Sequence, residues 1–433
     1  MKKHRIVCSA LALLLLLSTA GCSGSSDKES VAINAMGDGE YGATADGEAE
    51  FYVGEVDDSV KAAYTEKAGD YVNGTAAAET VDVGSSDSDI SPEVELPEAG
   101  QLTAGEWNDN DNWGFFSNLV NSGTITFPSF GIDPRYRTAV TVKSEDGSPI
   151  ANAKVRLIDN GGNVLWSSVS DKQGQAFLFA SSEDTPASVE IESDGNKQSF
   201  DLNAQKGNSQ SVNEATNNEL EVTFSGKSKF YKQTDIMFII DSTGSMSDEM
   251  LFLQSEFSAI TKEIGTKDTR YSVNFYRDEG DDYVTKCNDF TSDVEELQKK
   301  LNSESADGGG DTPEAVADIL KETLSGSDWS DESVKLAFLI FDAPPHEGTE
   351  EVLLSAVKDA SEKGIHIIPV VSSNSERDTE LFARSLAINT GGTYVFLTDD
   401  SGIGDSHLEP IIGSYDVEKL YDIIIRIIND YRQ

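Results

Sequence analysis

Positive charge is scarce in this 433-residue chain: 33 Lys and Arg stand against 77 Asp and Glu, a formal net charge of −44. A nucleic-acid binder needs a cationic footprint for phosphate, and none is present, so nucleic acid is excluded as a partner. Histidine and cysteine are rarer still, with four and three residues. None of them stands at the spacing of a zinc site. A hydrolase triad is missing too. Ser245 lies between Gly244 and Met246 rather than in a G-x-S-x-G turn, and His366 sits inside an apolar run. "FSGKS" (Phe224–Ser228) ends like a phosphate-binding loop, but Glu221 stands where its first glycine belongs. The reading is therefore not an enzyme. The apolar run Ile6–Ser18 is too short to span a bilayer as a helix.

That run has another use. Lys2, Lys3 and Arg5 precede it, as in a secretory signal. It ends in "STAGC", Ser18–Cys22, whose small residues before a cysteine resemble the lipobox of bacterial lipoproteins, with Thr19 where leucine is usual. The resemblance implies a signal peptide over 1–21, acylation of Cys22, and a membrane anchor in the extracytoplasmic cell envelope. Several acyl chains hold a protein far better than one. Cys8 would leave with the signal. Cys287 then stands alone, so packing rather than a disulfide must hold the fold. Residues 22–100 read as a disordered acidic tether, with 19 acidic residues against three lysines over 23–100 and no sustained apolar period.

Residues 101–133 carry Trp107, Trp113, Phe115 and Phe116, which need burial; the expectation is a collar on the domain that follows. The run Asn108–Asp111 alternates like a calcium loop but lacks the glycine and final glutamate of an EF-hand. Residues 134–225 alternate apolar and polar positions, with Asp-Gly, Asn-Gly-Gly and Lys-Gln-Gly turns at short intervals, the pattern of an all-β sandwich. The stretch from "VKSEDGSPIANAKVRL" to "SDKQGQAFL" resembles Ig-like and carboxypeptidase-regulatory-like modules of bacterial surface proteins.

From 233 to 433 apolar strands alternate with amphipathic helices. Asp235–Ile240, Tyr271–Tyr276, Ala337–Phe341, Ile365–Val371 and Thr393–Leu397 predict a mostly parallel, doubly wound sheet, with Tyr283–Cys287 as a short edge strand. In such sheets ligands sit at the carboxyl ends of strands. Asp241 ends one strand and Asp342 another. Thr243 and Ser245 follow at alternate positions, and "GGGDTPEA" (Gly308–Ala315) adds a polar loop. Carboxylates and hydroxyls suit a hard divalent cation, Mg²⁺ first and Mn²⁺ or Ca²⁺ next.

"DSTGSM", "GGGDTPEAV" and "FLIFDAPPHEG" resemble, in order, the motifs of von Willebrand factor type A domains, the first matching the D-x-S/T-x-S metal-ion-dependent adhesion site. The resemblance implies a Rossmann-like α/β fold and metal-dependent binding of a protein partner through the partner's acidic side chain. It implies Asp241, Thr243 and Ser245 as metal ligands, Asp342 acting through water, and Asp311 or Thr312 as the middle ligand, since Gly310 stands where a threonine is usual. An assembly or sensing scaffold of the envelope would share this physics and differ only in its partner. Arg277, Asp278, Asp281 and His346 lie on the same side, where salt bridges and rim hydrogen bonds are expected. Thr398–Gly413 is a candidate specificity loop.

Overall fold

The computed structural model describes residues 97–202, 215–310 and 312–432. The signal peptide, Cys22, nearly all of the tether and Asp311 lie outside the described residues. The chain opens with β1 (Thr103–Trp107) and α1 (Trp113–Asn121). Seven strands follow: β2 (Tyr136–Lys143), β3 (Lys154–Asp159), β4 (Val164–Val169), β5 (Gln175–Phe179), β6 (Pro186–Ser193), β7 (Asn196–Asp201) and β8 (Thr216–Thr223). They form a three-stranded sheet, β5-β2-β8, and a four-stranded sheet, β4-β3-β6-β7. Val140, Val142, Val155, Leu157, Leu178 and Ile191 from both sheets are buried in one apolar cluster.

The α/β part holds β9 (Gln233–Asp241), α2 (Met250–Ile264), β10 (Thr269–Tyr276), β11 (Thr285–Lys286), α3 (Val294–Asn302), α4 (Val316–Leu320), β12 (Ser333–Phe341), α5 (Glu350–Lys363), β13 (Ile365–Val371), α6 (Arg377–Thr390), β14 (Tyr394–Leu397), β15 (Glu418–Lys419) and α7 (Leu420–Tyr431). Its sheet has eight strands in the order β11-β10-β9-β12-β13-β14-β1-β15, parallel from β10 to β14. The central strands are apolar at nearly every position because both faces are covered. Ile236, Phe238 and Ile240 pack into the layer with α2 and α7, while Met237 and Ile239 pack into the layer with α5 and α6.

One expectation needs correction. The segment read as a collar on the β region supplies a strand of the α/β sheet: β1 pairs antiparallel with β14, Ala104 opposite Leu397 and Trp107 opposite Tyr394. Its sequence, TAGEW, carries no β-branched run. A glycine is required at its centre, since a Cβ on Gly105 would lie 2.4 Å from the Phe396 ring and 2.8 Å from Tyr415. The two-sheet region is thus inserted between two strands of one sheet.

The Asn108–Asp111 run serves that join and not calcium. Asp109 accepts two hydrogen bonds from the fully buried Arg384, at 2.7 and 2.8 Å, and one from the Trp107 indole at 3.0 Å. Asn110 accepts from Arg137 at 2.8 Å and donates to the Ile388 carbonyl at 3.0 Å. The inserted region docks at the amino-end side of the parallel strands: Trp166 donates to Ser361 of α5 at 2.9 Å, and Val169 packs beside Gly364, the turn into β13. The carboxyl-end rim is left to the α/β loops.

Candidate metal centre

The strand β9 ends on Asp241, and hydrogen bonds turn the next residues alternately down and up. Ser242 is tied down. Its amide and its hydroxyl both donate to the Tyr276 carbonyl at 2.9 Å, and the hydroxyl lies 2.7 Å from that of Tyr283. Thr243 turns back to Asp241, donating to Oδ1 from its amide at 2.9 Å and from its hydroxyl at 2.7 Å. The Ser245 hydroxyl stands 3.1 Å from that of Thr243. Asp241, Thr243 and Ser245 therefore come together.

The loop after α3 closes over this motif. Asp307 donates its amide to the Ser242 carbonyl at 3.0 Å, and Gly244 donates to the Gly308 carbonyl at 3.1 Å. Gly309 fits between Thr243 and Glu314: a Cβ there would lie 3.1 Å from the Thr243 Cβ and 2.9 Å from Glu314 Oε1. Of the expected middle ligands, Thr312 is solvent-exposed and Asp311 lies outside the described residues. The buried acid that this loop brings in is Glu314, 3 % exposed, with its amide bonded to the Pro344 carbonyl at 3.1 Å. Little in the sequence marks it, because a glutamate just before an apolar helix reads as an ordinary first-turn charge.

Three carboxyls now share one corner: Asp241 fully buried, Asp342 and Glu314 nearly so. One oxygen of each, Asp241 Oδ2, Asp342 Oδ1 and Glu314 Oε2, is buried without a hydrogen-bond partner among the described residues. Burial, then the charge of Asp342, pushes Asp241 up to about 7. Burial pushes Asp342 up to about 6, with the Ser245 hydroxyl pulling against it. Burial and the charges of its neighbours, Asp241 first, push Glu314 up to about 9. Like charges this close, out of water, resist ionising together. An orphaned buried carboxylate oxygen is costly, and a cation would relieve that cost.

Among the described residues no group of three or more His, Cys, Asp or Glu side chains is placed to hold a metal ion by itself. A cation here would need the hydroxyls of Thr243 and Ser245 beside the carboxylates. Such a donor set is all oxygen and fits a hard divalent ion.

The neighbouring candidates are structural. Arg277, 7 % exposed, donates to Glu304 and to the Ser305 carbonyl. Asp281 accepts from the amides of Gly309 and Asp278, fixing the loop, and His346 lies 2.6 Å from Asp278. The Thr398–Gly413 loop is clamped to the start of α2: His407 bridges Glu249 and Asp399 at 2.9 and 2.8 Å, and Asp405 donates its amide to Asp248.

Residues 235–403 match the family model described as von Willebrand factor A domain. Over that span the chain is similar to von Willebrand factor A domains. The match starts in β9 and takes in the Asp241 motif, Glu314 and Asp342. An ariadne-like RING finger protein of Acanthamoeba polyphaga mimivirus is 23% identical over 186 residues, 38% of this chain and 18% of that protein, so the chain spans less than a fifth of that relative's length. The crystal structure of the conserved hypothetical protein BatB from Bacteroides thetaiotaomicron is similar at 15% identity over 46% of this chain and 98% of that one, with a TM-score of 0.34. Von Willebrand factor A domains are in general interaction modules without catalysis, and they often bind a divalent metal.

Proposed function

We propose that this chain is a lipid-anchored protein of the extracytoplasmic cell envelope that binds a partner protein, as an adhesin or scaffold, through a divalent cation at the rim of its von Willebrand factor A domain. The observation that carries the reading is the pair of buried, unpartnered oxygens on Asp241 and Asp342 beside the hydroxyls of Thr243 and Ser245. These residues would hold Mg²⁺, or Mn²⁺ or Ca²⁺, with Asp311, Thr312 or Glu314 supplying the remaining side chain. A bound cation supplies an electrophilic position for an acidic side chain of the partner. The chain's own part is to fix the donors: Ser242 and the Gly308 carbonyl hold the motif loop, so little ordering remains to be done on binding.

The test is unfolding of the protein in EDTA, Mg²⁺, Mn²⁺ and Ca²⁺, beside Asp241→Ala. At a hundred times Kd an ion that binds only the folded state adds about 2.7 kcal/mol. Wild type is expected to gain and the variant not to gain; equal gains would move the cation elsewhere. The anchor is tested by Cys22→Ala, which is expected to release the protein from the membrane fraction.

A further inference from the structure

The metal-binding reading leaves the partner's character open, and the charges around the site narrow it. This inference rests on that reading. The loops that form the carboxyl-end rim are 242–249, 277–284, 303–315, 342–349, 372–376 and 398–417. Together they contain no lysine and one arginine, Arg277, among many Asp and Glu. That arginine is buried against Glu304. The two histidines of the rim are also engaged, His346 with Asp278 and His407 with Glu249 and Asp399. Arg377 and Lys286 border these loops and are paired, Arg377 with Glu380 and Lys286 with Glu304, so among the described residues no free cation within the loops offsets their exposed acids, which include Asp248, Glu279, Asp282, Asp307, Glu347 and Asp405.

The opposite end of the same sheet is built differently. A cleft of about 990 Å³ between the inserted region and the amino ends of the strands is lined by Lys154, Lys172, Lys229, Lys335 and Lys363 as well as by acids. The rim's one-sidedness is thus local, beyond the chain's general acidity.

Two forces then act on an approaching carboxylate. A cation on Asp241 and Asp342 attracts it at contact, over a few ångströms. The ring of exposed carboxylates repels it over a Debye length, about 10 Å at 0.1 M salt. An acidic residue set in an acidic segment would meet net repulsion before reaching the metal. The same residue set among lysines or arginines would be steered in, and its flanks would end opposite the rim acids. We infer that the partner presents one metal-bridging carboxylate within a basic segment: lysines or arginines on both sides of a single Asp or Glu. Each flanking pair lies in solvent and adds little by itself. Several together set the approach rate and the choice between acidic residues.

The experiment uses the full chain and three labelled peptides of equal length, read by fluorescence anisotropy in Mg²⁺ and in EDTA at low and high salt. One has a central Asp flanked by lysines, the second a central Asp flanked by glutamates, the third a central Asn flanked by lysines. Expected in Mg²⁺ at low salt is at least tenfold tighter binding of the first peptide than of either other. Its lead over the second should shrink at high salt, and its lead over the third should vanish in EDTA. Glu279→Lys combined with Asp282→Lys should narrow the gap between the first and second peptides. Equal or tighter binding of the glutamate-flanked peptide would overturn the inference. So would equal binding of the Asn peptide in Mg²⁺, which would reduce the rim to a cation trap. Failure of all three peptides, with Mg²⁺ still stabilising wild type but not Asp241→Ala, would also overturn it while leaving the metal site standing. Loss of the Mg²⁺ response itself would instead remove the reading beneath it.

Discussion

Strand β9 carries two fully buried aspartates, Asp235 near its start and Asp241 at its end, and they are treated in opposite ways. Asp235 is saturated. Arg270 grips it with two hydrogen bonds at 2.9 and 2.8 Å, and the Ser330 amide and Ser333 hydroxyl add two more at 2.8 and 2.9 Å. Asp241 has its own motif's threonine on one oxygen and no hydrogen bond among the described residues on the other, with Asp342 and Glu314 as like-charged neighbours. The same residue type, in the same strand, at the same burial, is a closed structural pair at one end and an open site at the other. Burial alone does not mark a binding residue. The proposed site rests instead on burial with an unmet valence at the carboxyl end of a parallel strand.

The comparison breaks most visibly at its closed end. Asp235→Ala leaves the Arg270 guanidinium without its carboxylate and should lower stability by about 3 kcal/mol, equally in EDTA and in Mg²⁺. Urea unfolding in both media checks it; a loss that depended on metal would put Asp235 in the site. At the open end the sign changes. In EDTA, Asp241→Asn removes one of three crowded charges and should leave stability within about 1 kcal/mol of wild type or above it. In Mg²⁺ the same variant should fall behind.

Titration sharpens the contrast further. Asp342, Asp241 and Glu314 are raised to about 6, 7 and 9, above the ordinary carboxyl range near 4. The folded protein then holds more protons than the unfolded chain. Their contribution is full below about pH 4 and is lost as pH rises through those values, so stability in EDTA should fall from pH 5 to pH 9. Mg²⁺ should flatten or reverse that slope. The acid limb belongs to His366, at the amino end, where burial lowers the imidazole to about 4. Its unfolded value near 6.5 is higher, so stability is lost as pH falls from 6.5 toward 4. His366→Gln, which can still donate to the Thr390 carbonyl, should soften that acid limb without touching the alkaline one.

Much of this was legible beforehand, for reasons that can be named. Strands covered on both faces write continuous apolar runs, so β9, β10, β12, β13 and β14 stood out. Asp241, Thr243 and Ser245 lie within five residues of each other and carry their geometry in their spacing. Other features had no local signature. β1 is five residues built around a glycine, and only Phe396 and Tyr415, almost three hundred positions away, explain it. Asp109 lies in a run that alternates like a calcium loop, and the partner that explains it, Arg384, is equally remote in sequence. Glu314 stands two or three positions past the ligands expected of its loop, and only the fold of that loop over Thr243 brings it in.

The placement of β1 also decides how the molecule bears tension. Residues 97–102 lead into β1, inside the α/β sheet, and the two-sheet region leaves and re-enters between β1 and β9. Under the proposed function, a pull between an anchor on Cys22 and a partner on the rim would run along the backbone into β1 and across the hydrogen-bonded ladders of β14, β13, β12 and β9. The inserted region hangs beside that line as a branch. Under such a pull it would add no reach and carry none of the load, and its unfolding would not lengthen the connection while the ladder between β1 and β14 holds.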